Sequence, residues 1–181
     1  MAKNLSNNLR IPPQNNEAEM ALLGSVMLRP EGVYEIIDTI KEEVFYTEKH
    51  RIIWSAMADL FSKNNPIDLL SLSSRLNEKK RLDQIGENTY LTQLVNTVPT
   101  SANLKHYAEI VYKKYMMRRL IEASEAIGKL GYDEAEDLEE LLDKAEKRVF
   151  DVTNVSSVHK FIELKDTLHE AWERLDRLHK S

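Results

Sequence analysis

The 181-residue sequence contains no cysteine, which excludes disulfides, thiolate catalysis and cysteine-based metal sites. Glycine is scarce, with five residues at positions 24, 32, 86, 128 and 131. None falls in a loop of the Walker or dinucleotide type, so nucleotide binding by that route is excluded. Positive charge is not in excess: Lys and Arg total 25 against 30 Asp and Glu, a net charge of −5. That balance argues against broad contact with a phosphate backbone, which depends on clustered cations. No apolar run is long enough to span a bilayer, and the polar start Met1-Ala-Lys-Asn-Leu-Ser-Asn-Asn8 is unlike a signal peptide, so a cytoplasmic protein without a membrane partner is expected.

Chemistry-bearing patterns are equally sparse. His50, His106, His159, His169 and His179 show no HExxH spacing, and each is expected on the surface or at a helix cap. Glu42-Glu43 and Glu139-Glu140 are adjacent carboxylates, which point apart on a helix. No serine sits in a nucleophile elbow. The sequence predicts a non-enzymatic module with no catalytic, cofactor-binding or metal-binding residues.

What is present is helical periodicity, and the predicted fold is all-α. Residues 1–15 read as a mobile arm ending in Ile11-Pro12-Pro13, because consecutive prolines favour an extended backbone. Asn16 and Glu19 have capping-box spacing, and the helix they open runs through Met20, Leu23, Val26 and Met27 and stops before Pro30. Val33, Ile36, Ile37 and Ile40 mark a second helix. Ile52, Ile53, Ala56, Met57, Leu60 and Phe61 mark a third. Asn64-Asn65-Pro66 is a turn, Asp68 caps a short helix with Leu69, Leu72 and Leu76 inward, and Tyr90, Leu91, Leu94, Val95 and Val98 make another. These elements define a small globular head over residues 16–102.

A long antiparallel helical hairpin is predicted over residues 103–152. Its first arm, Asn103 to Leu130, contains no proline, and Gly131 stands where a left-handed cap residue is expected. The acidic run Asp133 to Asp137 favours the start of the second arm, and Lys144, Lys147 and Arg148 are expected in its last turns. Along that arm Leu138, Leu141, Leu142, Ala145, Val149 and Val152 form one apolar stripe. At 1.5 Å per residue the arms would measure about 42 and about 27 Å, so the root of the first arm, around Leu104 to Val111, is expected to be built into the head. Lys113, Lys114, Arg118 and Arg119 are read as a solvated face or as salt-bridge partners of the acidic arm, with nucleic-acid contact the weaker alternative.

Residues 153–160 read as a linker, followed by an amphipathic helix over 161–181. There Phe161, Leu164, Leu168, Ala171, Leu175 and Leu178 are spaced as an a/d seam. Such a seam needs a partner, either its own domain or another subunit or domain.

Taken in order, Ile11-Pro-Pro-Gln14, Glu17-Ala-Glu19, Leu23-Gly24, Phe45-Tyr46 with His50, and Pro66-Ile67-Asp68 form a recognisable series. It continues through Tyr90-Leu91, Val98-Pro-Thr100, Asn103, Tyr107-Ala108, Ile110-Val111, Arg118-Arg-Leu-Ile121, Gly131-Tyr132 and Leu141-Leu-Asp-Lys-Ala-Glu146. Across nearly the whole chain it resembles the amino-terminal domain, with linker helix, of the bacterial and phage replicative DNA helicase of the hexameric DnaB family. One departure is the run Gly86-Glu-Asn-Thr-Tyr90, where the family has two glycines before the Tyr-Leu pair. The motor domain, where ATP and magnesium would bind, lies beyond the matched region.

The resemblance implies an oligomerisation and recruitment domain: hairpins pair, dimers form the collar of a hexamer, and primase binds. A helicase loader and DNA reached only weakly, or through the motor domain, are further implied partners. Carried over by matched position, Tyr90, Ile121 and Ile127 are candidates for primase contact, although pattern alone favours core for them. Leu138, Leu142 and Val149 are candidates for hairpin self-association. Phe161, Leu164, Leu168, Leu175 and Leu178 are candidates for docking on a neighbouring subunit. A second assignment, the helicase-binding carboxy-terminal domain of a primase, has the same head and hairpin and is not separated by periodicity.

Overall fold

The computed structural model describes residues 11–98 and 103–157, and within them it is helical with no strand. The expected helix over 161–181, with Phe161, Leu164, Leu168, Leu175 and Leu178, lies outside the described residues, as do residues 1–10 of the expected arm and 158–160 of the expected linker. Seven α-helices are described: α1 (Asn16–Leu28), α2 (Glu48–Ser62), α3 (Leu69–Glu78), α4 (Leu82–Ile85), α5 (Glu87–Thr97), α6 (Leu104–Leu130) and α7 (Leu138–Ser157). The chain divides into two compact units, Met1–Glu122 and Ala123–Ser181.

In the first unit α1 is the central element, buried at every residue from Ala18 to Met27. A helix apolar on all sides is surrounded on all sides. Its closest neighbour is α5: a Cβ on Gly24 would lie 2.2 Å from the Leu94 carbonyl oxygen and 2.5 Å from Val98 Cγ2. Glycine here lets two helices approach to backbone contact. Leu91 and Leu94 of α5 share the core of this pair with Phe45, Ile53, Trp54 and Met57, and with Leu72 and Leu76 from α3. Leu104, Ala108, Val111 and Tyr115 of α6 belong to the same core, which places the root of α6 in the head. The division between the two units falls within α6, after Glu122.

Several local expectations change. Asn15, not Asn16, caps α1, its Oδ1 accepting from the Ala18 N–H at 3.0 Å. Residues 33–40 do not form an α-helix. A 3-10 turn over Pro30–Glu35 is followed by irregular turns in which Ile36 N–H donates to Val33 O and Thr39 N–H to Ile36 O. Asp68 does cap α3, accepting from the Ser71 N–H at 2.8 Å. The left-handed glycine is Gly86, at φ +93° between α4 and α5, and not Gly131.

In the second unit the turn after α6 closes through short bonds, Tyr132 N–H to Lys129 O and Asp133 N–H to Leu130 O, which need no positive φ. Asp137 then caps α7, its Oδ1 accepting from the Glu139 N–H at 2.9 Å. The less exposed residues of each arm, Ala123, Ala126, Ile127 and Leu130 on α6 and Leu141 and Ala145 on α7, recur at three- and four-residue spacing. This is the pattern of two helices covering one side of each other. α7 continues to Ser157, through residues 153–157 of the expected linker, and Thr153 hydrogen-bonds back to Val149 O and Phe150 O as a helical threonine does. Lys144, Lys147 and Arg148 therefore lie mid-helix.

Candidate protein-interaction surfaces

On α7 the residues Leu138, Leu142, Ala145, Val149 and Val152 follow one another at alternating four- and three-residue steps, an a/d-type line along the helix. Val152 is buried, but Leu138, Leu142 and Val149 are 68%, 60% and 51% exposed. Covering a large apolar side chain contributes roughly 1.5 to 3 kcal/mol, which this line leaves unrealised. Phe150 is exposed beside it. Glu139 and Glu146 flank the exposed part, and Lys144 is paired with Glu136. Three of the residues expected at a self-association surface are thus uncovered on a preformed helix.

The head carries a different arrangement. Glu19, one turn inside α1, is 1% exposed. Its Oε1 accepts from the Tyr46 N–H at 2.7 Å and its Oε2 from the Thr47 N–H at 3.3 Å. The same Oε2 lies 2.6 Å from His50 Nδ1, and His50 Nε2 lies 2.6 Å from the Tyr90 hydroxyl. The two rings stack at 5.9 Å. Burial, and secondarily the Glu19 charge, push the Tyr90 phenol up to about 12. A carboxylate only accepts, so Glu19 Oε2 selects the tautomer with the proton on His50 Nδ1, and Nε2 then accepts from the Tyr90 hydroxyl. At the outer end the Lys49 ammonium sits 3.6 Å above the Tyr90 ring.

A buried cation, Arg118, completes the frame. Arg118 donates to Pro13 O at 2.9 Å and to Val44 O at 2.7 Å, and its guanidinium lies over the rings of Tyr46 and Tyr115. Burial lowers its pKa against the opposing pull of Glu19. Arg51 Nε donates to Phe45 O at 2.8 Å. The backbone of residues 44–47 is therefore held, group by group, from α6, α2 and α1.

These contacts revise the sequence expectations. Glu19 does not form a capping box, because its carboxylate is engaged inside the core. His50 is neither a surface nor a cap residue: it is fully buried. Arg118 is not part of a solvated basic face. Tyr90 is 9% exposed and Ile121 43% exposed, both in the first unit, and Ile127 in the second unit is half-buried. One signal for the buried network was visible in Ala18-Glu-Met-Ala-Leu-Leu23, a lone carboxylate in an apolar run, which is costly unless paired. Nothing in the dipeptide Arg118-Arg119 distinguishes the buried arginine from its neighbour. Among the described residues no group of His, Asp and Glu could hold a metal ion, and no helix is long and apolar enough to cross a membrane.

An all-helical head leading into a helical hairpin is an architecture already described. The N-terminal domain of DnaB helicase from Mycobacterium tuberculosis superposes with a TM-score of 0.74 at 33% identity, over 78% of this chain and 99% of that one. A DnaB-like replicative helicase whose structure is described with its interactions with primase gives a TM-score of 0.67 at 27% identity, over 78% of this chain and 31% of that one. In sequence, the replicative DNA helicase DnaC of Bacillus subtilis is 36% identical over 172 residues, 95% of this chain and 38% of the relative. The DnaB-like helicase N terminal domain family matches residues 11–113, and the chain belongs to that family. Membership of a helicase family leaves the primase-tail assignment without support. The chain spans well under half the length of this relative.

Proposed function

We propose that this chain is the oligomerisation and partner-recruitment domain of a replicative DNA helicase, contributing to an N-terminal collar and binding primase during DNA replication. The observation that carries this reading is the uncovered apolar line Leu138, Leu142 and Val149 on a capped, well-formed helix, in a chain of the DnaB N-terminal family. Two such hairpins, each placing this line against the other, would bury it symmetrically, and a two-fold contact of this kind is self-complementary. Primase recruitment is supported by the related helicase described with its primase interactions, and Tyr90, Ile121 and Ile127 are the proposed contact or near-contact positions. The segment from Phe161 to Leu178 is proposed to dock on a neighbouring subunit. ATP-driven unwinding, with ATP and magnesium, is proposed for the motor region of the full-length relatives and not for these residues.

Sedimentation at micromolar concentration, with binding of the primase from the same organism, tests the reading. Dimers or larger assemblies and saturable primase binding are expected. A chain that stays monomeric and binds no primase would remove it.

A further inference from the structure

The α5 surface beside Tyr90 has an unusual charge distribution. From Asn88 to Thr97 there is no charged residue, in a chain in which 30% of residues are charged. The exposed side chains Thr89, Thr92, Gln93, Asn96 and Thr97 line a shallow hollow of about 520 Å³. Thr92 and Thr97 turn their hydroxyls back to carbonyls of their own helix, Asn88 O and Gln93 O. Glu87 carries the charge at the start of α5, and the Lys49 ammonium stands over the ring of Tyr90 on the same helix, in no ion pair among the described residues. Its neighbour Glu48 is directed to Arg51 at 3.7 Å.

Lys49 is not held by a carboxylate but by an aromatic platform, and the platform is itself fixed from within. The Tyr90 hydroxyl is anchored by His50, and His50 by Glu19, whose two oxygens also take backbone N–H groups. A long flexible side chain is thereby given a fixed address at low entropic cost. A helix face without charges is also cheap to desolvate, whereas charged groups resist burial unless paired.

We propose that Lys49 and the uncharged face of α5 form a docking surface for primase, with Lys49 meeting a carboxylate of that partner and Glu19, His50 and Tyr90 acting as positioning residues behind it. This rests on the primase-recruitment reading above and gives it a location and a chemistry. It also assigns Tyr90 an indirect role, in which its ring supports the cation that touches the partner.

The experiment titrates the full chain with primase of the same organism at two salt concentrations, comparing wild type with Lys49→Ala, Lys49→Arg, Tyr90→Phe and His50→Gln, each checked for unchanged helicity. Lys49→Ala is expected to weaken binding about fivefold and to flatten its salt dependence, as loss of a partly exposed ion pair does. Lys49→Arg, which also stacks on an aromatic face, should restore both. Tyr90→Phe keeps the ring and removes only its anchor; it should weaken binding by no more than Lys49→Ala does and add nothing to it in the double variant, since both act through one contact. Wild-type affinity in Lys49→Ala, or full additivity with Tyr90→Phe, would overturn the proposal while leaving recruitment intact. If the wild-type chain itself binds no primase, the recruitment reading falls first and this surface with it. Should His50→Gln fail to fold, the Lys49 series alone decides.

Discussion

The head and the hairpin treat apolar and polar groups in opposite ways. In the head Trp54, Phe45, Leu22, Leu23 and Ile53 are sealed, and the buried ionisable side chains Glu19, His50 and Arg118 each have hydrogen-bond partners. On α7 Leu138, Leu142 and Val149 stand in the open while the helix is capped at its start by Asp137. The core of the first region is filled by its own chain, with Ser25 Oγ and Arg29 Nε its buried atoms without a hydrogen-bond partner among the described residues. The second has a settled backbone and an unsettled surface, as expected of an element whose partner is another molecule.

That contrast can be tested by how each region fails. Trp54→Ala empties the centre of the head and should cost about 3 to 5 kcal/mol, read by denaturant unfolding. A similar loss from Leu138→Ala would erase the distinction between the regions. Leu142→Asp should leave helicity and melting of the chain nearly unchanged yet weaken self-association at least about tenfold, roughly 1.4 kcal/mol, by sedimentation equilibrium; unfolding instead would show that this leucine is core. Asp68→Ala removes the α3 cap and should cost about 1 kcal/mol in the head without affecting assembly.

The smallest effect concerns pH. Hydrogen bonds from Lys79 and Arg75 hold the Asp59 carboxyl well below the usual carboxylate range. Because its folded pKa is depressed, the stability it contributes is present above the unfolded value near 4, and is lost as pH falls through the folded value. The pair cluster is at the surface, so the contribution should be under about 1 kcal/mol. Asp59→Asn should flatten the acid limb of head stability and leave pH 7 assembly unaltered.

Much of the helical layout was legible because it depends on local chemistry. Asp68 capped its helix, Pro30 followed the end of α1, and the stripe from Leu138 to Val152 lay on one face, since capping, proline geometry and 3.6-residue periodicity act within a few residues. Where local signals competed, the reading erred. Val33 to Ile40 has helical spacing, but its polar groups are satisfied by turns. Gly131 looked like a left-handed cap, but its N–H donates to Ile127 O and the turn closes without a positive φ there.

The sequence by itself determined an all-helical chain without disulfides or a nucleotide-binding loop, its family resemblance, and an apolar line on the second arm of its hairpin. Tertiary structure alone decided which polar residues are inside. Glu19, His50 and Tyr90 are separated by 31 and 40 residues, and no periodicity links them. The cost of burying a carboxylate, an imidazole and a guanidinium is offset only when the folded chain brings their partners to hydrogen-bond distance. The same packing turns Lys49 from one more surface lysine into a cation with a fixed place.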